Sequence, residues 1–223
     1  VERWLQPWTG EGRCGEMRWL MCLMGFLTAA VGAEEAVPPK TAQDLFEAGV
    51  EAFMEGKMDA SLQAFDALVE QEPRALPQLW QRGLALYYAG RFQEGREQFE
   101  VHQTVNGQDV ENAAWHFLCV TKLEGVETAR KGLIPIAGDT RVPMKEIHAL
   151  YAGRGSEEAV LAAAGENRNH RCYAHLYLGL YYEVLGKTEL AREHILKAAV
   201  EDSMDHYMGK VAQVHAKLRG WSP

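Results

Sequence analysis

The sequence predicts an all-α fold built from repeated helix pairs, and three observations carry that expectation. From Thr41 onward the pattern is helical, in segments of about 12 to 16 residues separated by Gly- or Pro-marked breaks, and no alternating apolar and polar run reads as a strand. Gly49 and Gly83 lie 34 residues apart, and so do Gly56 and Gly90. Phe65 recurs as Phe99 at the same interval. Coincident matches at one period are the mark of a repeat architecture, in which each helix pair buries its apolar face against the next.

Taken in order, the amino-terminal part reads differently from the rest. Residues 1–16 show no periodicity and are read as an extension ahead of the true start at Met17. Met17 and Arg18 form a minimal basic region, Trp19 to Val31 is a largely apolar run, and Val31-Gly32-Ala33 supplies small residues before Glu34. That order is the pattern of a signal peptide over 17–33, and its apolar run is too short to cross a bilayer comfortably. Cys22 lacks small residues ahead of it, which argues against a lipid anchor there. Residues 34–40, EEAVPPK, read as a linker.

Repeat units are then expected to start near residues 42, 76, 110, 144 and 172, with a closing helix over 204–218. The first contains Leu45, Gly49, Gly56 and Phe65, and Pro73 ends its second helix. The second contains Leu79, Gly83, Gly90, Phe92, Gly95 and Phe99. The third places Phe117 where the first glycine would stand and Ala129 where Ser61 and Gly95 stand. The fourth is compressed, with Gly153 and Gly155 in its turn and Ser156 as helix cap ahead of Glu157 and Glu158. The fifth carries Gly179, Gly186, Ala191 and Ala198 in register.

These residues resemble the tetratricopeptide repeat family from about residue 41 to the end. The resemblance implies a right-handed superhelix. Small residues at Gly49, Gly83 and Gly179 in the first helices would face small residues at Ser61, Gly95 and Ala191 in the second, with Phe65 and Phe99 filling the space beyond. Gly56, Gly90 and Gly186 would end the first helices. A narrower similarity, over roughly 76–215, is to the NlpI-type periplasmic repeat lipoproteins; it rests on LALYYAGR, IHALYAGRGSEEAV and the block Tyr177 to Tyr182. It implies an envelope adaptor that brings proteases or hydrolases together and dimerises. The chain departs from that group in lacking a lipobox at Cys22 and in having fewer amino-terminal units.

In the repeat family the first helices line a concave groove. That register assigns Phe46, Val50, Phe53, Met54, Trp80, Leu84, Tyr87, Tyr88, Ala114, Leu118, Thr121, Lys122, Tyr173, Leu176, Leu180 and Glu183 to it, with Tyr177 beside them. Phe46, Phe53, Trp80, Tyr87, Tyr88, Lys122, Tyr173 and Tyr177 are the candidate partner-binding residues. An aromatic and apolar groove suits an amphipathic helix or an extended apolar peptide. The same side chains would serve equally as core, or as a surface covered by the final helix or by a second subunit. The Lys, Asn and Arg grip of chaperone-clamp members is absent from these positions.

Other chemistry finds little support. A net charge of −8 without a Lys/Arg run does not suit nucleic-acid binding. The eight His are scattered, and neither HExxH nor CxxC occurs, so neither a metal nor a cofactor is expected. His116 and Cys119 share helical spacing, yet no third group orients them as a nucleophile pair. Cys119 and Cys172 read as buried small residues, with a single bridge left open by the export signal. The expectation is a non-catalytic, exported scaffold for a protein or peptide partner, without a membrane anchor; the alternatives are a structural homodimer with the apolar face as its seam, and a small His/Cys-dependent enzyme.

Overall fold

A computed structural model describes residues 40–222. The expectations for 1–16, 17–33 and the linker up to residue 39 lie outside the described residues. Among the described residues every regular element is helical. The helices are α1 (Ala42–Met54), α2 (Met58–Gln71), α3 (Trp80–Tyr88), α4 (Phe92–Gln103), α5 (Val110–Glu124), α6 (Val126–Lys131), α7 (Met144–Tyr151), α8 (Glu157–Ala164), α9 (Arg168–Val184), α10 (Thr188–Leu196) and α11 (Tyr207–Leu218). A 3-10 turn (Pro73–Gln78) precedes α3, and a π-helical turn (Lys197–Glu201) follows α10.

Consecutive helices pack as pairs, and the glycine period explains how closely. A Cβ on Gly49 would come within 2.7 Å of the Phe65 ring, one on Gly83 within 2.6 Å of Phe99, and one on Gly179 within 2.6 Å of Ile195. The missing side chain is therefore the room that the partner helix's large residue occupies. In the first pair the Ser61 hydroxyl donates to the Gly49 carbonyl at 2.8 Å in a buried contact. The turns of these pairs are made by Gly56, Gly90 and Gly186, at φ of 78°, 75° and 74°, a left-handed conformation that other residues adopt at a cost. Ala129, Ala191 and Ala198 are buried.

Helix starts follow local chemistry. Thr41 caps α1 in a reciprocal box with Asp44, Asp109 caps α5, and Ser156 caps α8 by accepting from Ala159 N at 3.2 Å. Two of the repeat starts differ from expectation, and the closing helix begins at Tyr207 rather than 204. The second pair begins at Trp80 rather than near 76, because Pro73 and Pro77 lack an N–H and the segment takes a 3-10 path. The fifth pair begins at Arg168 rather than 172, because Asn167 accepts from His170 N and caps the helix earlier.

The third pair departs most from the others. Phe117 replaces the close-packing glycine; it packs edge-on against Tyr151 at 5.0 Å. Its second helix, α6, has only 6 residues and gives way to an irregular segment before α7. That segment is tied back to the start of α5. The Gln108 side chain accepts from Ala137 N and Gly138 N, and Asp139 accepts from Val110 N at 3.1 Å. Arg141 bonds Asp109, Glu111 and Asp139 together.

Candidate functional site

Four of the aromatic residues assigned to a groove, Phe53, Trp80, Tyr87 and Tyr88, cluster where α1, α3 and α5 meet, and α11 lies against them. Tyr207, at the first position of α11, stacks on Phe53 at 6.1 Å and meets Trp80 edge-on at 4.8 Å. Tyr88 lies 5.9 Å from Phe53, and its hydroxyl is 3.0 Å from His215 Nδ1. Behind it, Tyr87 packs edge-on against Trp115 at 5.3 Å and Phe92 at 5.6 Å. Beyond the helix, Trp221 lies 5.4 Å from the His215 ring.

The end of α11 is held by charge. Arg219 bonds Glu183 of α9 and stands over the Tyr88 ring at 5.9 Å. Lys217 Nζ donates to the Glu55 carbonyl at 2.8 Å. Helix α11 thus packs on both α1 and α9, joining the first pair to the last. Burial would raise the Glu183 carboxyl, but the Arg219 bond and nearby positive charge outweigh it and hold the group below its ordinary value. Burial depresses His215 to about 4 despite Glu183 beside it. Along this seam Tyr87 Oη, Trp115 Nε1, Tyr207 Oη and His215 Nε2 are buried without a hydrogen-bond partner in the protein. A cleft of about 280 Å³ opens between α1 and α11, lined by Met54, Lys210, Gln213, Val214 and Lys217.

This placement corrects the reading of an open groove. Phe53 and Tyr87 are core residues, at 0% and 2% exposure. Trp80 and Tyr88 are half-buried, with α11 against them. Tyr177 is also core: its hydroxyl donates to Glu111 at 2.6 Å, and its carbonyl accepts from Tyr151. Phe46 is half-buried, 6.1 Å from Phe65 within its own pair. Tyr173 is half-buried, its hydroxyl 3.4 Å from His206. Lys122 is exposed. The physical reason is that α11 is amphipathic. Met208, Val211, Ala212 and His215 form one buried stripe at helical spacing, and an aromatic face of this kind is where such a stripe leaves water. The same stripe is visible in the sequence; the face that it covers is not.

A second polar cluster sits at the start of α5. Glu111 receives the Tyr177 hydroxyl and Arg141, and is pushed up to about 7 by burial first and by Asp109 next. Arg141 counters three carboxylates and is held charged by them against its burial.

Among the described residues the thiols of Cys119 and Cys172 are free and buried. Burial pushes Cys119 up strongly, and Cys172 to about 11, so both stay protonated at neutral pH. His116, drawn as a partner for Cys119, has its Nε2 3.3 Å from Glu100. Among the described residues no group of three or more His, Cys, Asp or Glu is placed to hold a metal, and no helix is long and apolar enough to cross a membrane. No family model matches the chain.

Proposed function

We propose that the chain is a tetratricopeptide-type interaction scaffold, non-catalytic, whose aromatic face takes an amphipathic partner helix. The observation that carries this reading is the seating of α11 on Phe53, Trp80 and Tyr88. Laying the apolar stripe of a helix on a complementary face is a general mode of protein recognition. The chain's own helix supplies the chemistry of the partner: an aromatic at the start, small and branched residues along the stripe, and a cation at the end that reaches Glu183.

The test uses the full chain with α11 loosened by Tyr207→Ala/Arg219→Ala and a labelled peptide of residues 204–222 added in trans. Fluorescence anisotropy should show binding to the double variant at least about ten-fold tighter than to wild type, equivalent to about 1.4 kcal/mol. Equal, negligible binding to both, with exchange data confirming that α11 is loosened, would remove the groove reading. Export to the bacterial envelope, with residues 17–33 as signal and adaptor work for proteases or hydrolases, belongs to the same proposal. Mass spectrometry of the mature protein tests it: a start at Glu34 supports cleavage, and a start upstream of Met17 argues against it.

A further inference from the structure

Away from the α11 seam, two imidazoles face each other inside the last helix pair. His175 of α9 and His194 of α10 approach Nδ1 to Nδ1 at 2.9 Å, with side chains 5% and 3% exposed. Their outer nitrogens each face a carboxylate. His194 Nε2 is 3.4 Å from Glu157 of α8, and His175 Nε2 is 3.7 Å from Asp202, which directly follows the π-helical turn. Glu157 also accepts from the Tyr182 hydroxyl at 2.6 Å, and the Tyr182 ring stacks on His194. Asp202 also accepts from Arg171 of α9 at 3.0 Å. Lys197 and Glu193, bonded to each other at 2.6 Å, are the remaining charged groups that bear on the pair.

The geometry sets a limit on protons. An Nδ1 to Nδ1 hydrogen bond needs one nitrogen with hydrogen and one without. Two neutral rings carry two N–H groups and form it. Three N–H groups, one positive charge shared by the pair, also form it, and then each outer nitrogen donates toward a carboxylate. A fourth proton would put two N–H groups head to head at 2.9 Å. We propose that the His175–His194 pair is an acid-sensitive latch, closed with at most one added proton and opened by the second, which drives α10 away from α9 at the pair while Arg171 still holds Asp202. Burial, and then the other ring, depress His175 to about 4, which agrees with resistance to that second proton. Helix α10 runs directly into the π-helical turn, so opening would begin within the last helix pair.

Long-range proton–nitrogen NMR of the imidazoles in the full chain tests the latch. The expected result between pH 6 and 8 is one protected Nδ1 proton, with one ring protonated and the other unprotonated at Nδ1. Two rings titrating independently near 6.5, the ordinary value, would overturn it. A second readout is hydrogen exchange of residues 188–201, corrected for intrinsic rate. Wild type should lose protection by about ten-fold or more as pH falls from 6 to 3.5, reporting local opening rather than global unfolding. His175→Asn keeps a donor and an acceptor without a titrating ring, and should keep that protection. Loss of protection at the same pH in the variant overturns the latch; if the variant does not fold, the imidazole spectra of wild type decide.

Discussion

At the residue scale the fold is set by side chains that are missing. Gly83 leaves space for Phe99, and a methyl group there would sit 2.6 Å from the ring. Alanine gains about 1 kcal/mol of helix propensity over glycine. Overpacking a close-packed core costs about 1–3 kcal/mol, so Gly83→Ala is expected to lower the urea midpoint on balance. Trimming the ring with Phe99→Leu in the Gly83→Ala background should recover part of the loss, although Phe99→Leu alone destabilises. Denaturant titration of the four proteins checks this, and additive effects would refute a direct contact. This pairing was legible in the sequence because Gly49, Gly83, Phe65 and Phe99 recur at one interval. Tyr87 and Tyr88 were not separable by that route. They are neighbours on α3, yet one enters the core and the other meets α11, and only packing distinguishes them.

At the element scale α11 decides how the aromatic face is used. Its seat rests on Tyr207 against Phe53 and Trp80, and on Arg219 against Glu183. Trp80→Ala removes an edge-on ring contact at a half-buried position, while Tyr87→Ala removes a core side chain. The first should raise hydrogen exchange in residues 207–218 with little change in α5; the second should lower the stability of the whole chain, by about 3–5 kcal/mol. Exchange mass spectrometry separates these outcomes. If Trp80→Ala leaves α11 as protected as in wild type, the ring is not part of its seat. The closing helix was readable as an amphipathic segment, but its destination was not: docking brings Lys217 to Glu55 across the whole repeat array, and no local pattern encodes that distance.

At the scale of the whole molecule, buried titratable groups set the response to acid. His175 and His215 fall from 6.5 to about 4 on folding, so the unfolded chain takes protons first as pH drops. Their contribution is fully present above 6.5 and is lost toward 4. Glu111 acts in the opposite sense, rising from 4.5 to about 7, and its contribution is present below 4.5 and lost as pH rises through 7. Between pH 4.5 and 6.5 the two histidines outweigh the one glutamate, so the urea midpoint should rise with pH across that window. Glu111→Gln should make the rise steeper, even if the variant is less stable throughout. A shallower slope in Glu111→Gln would show that the carboxyl is ionised in the folded chain across this range.

The all-helical class, the sites of close helix approach and the glycine turns follow from residues a fixed number of positions apart, and so can be read along the chain. That the aromatic face is occupied by the chain's own last helix, that Glu111 meets Tyr177, and that His175 meets His194 emerge only in the folded molecule. Those meetings depend on the path of the backbone between distant segments, and that path is the sum of all the packings rather than the property of any one stretch.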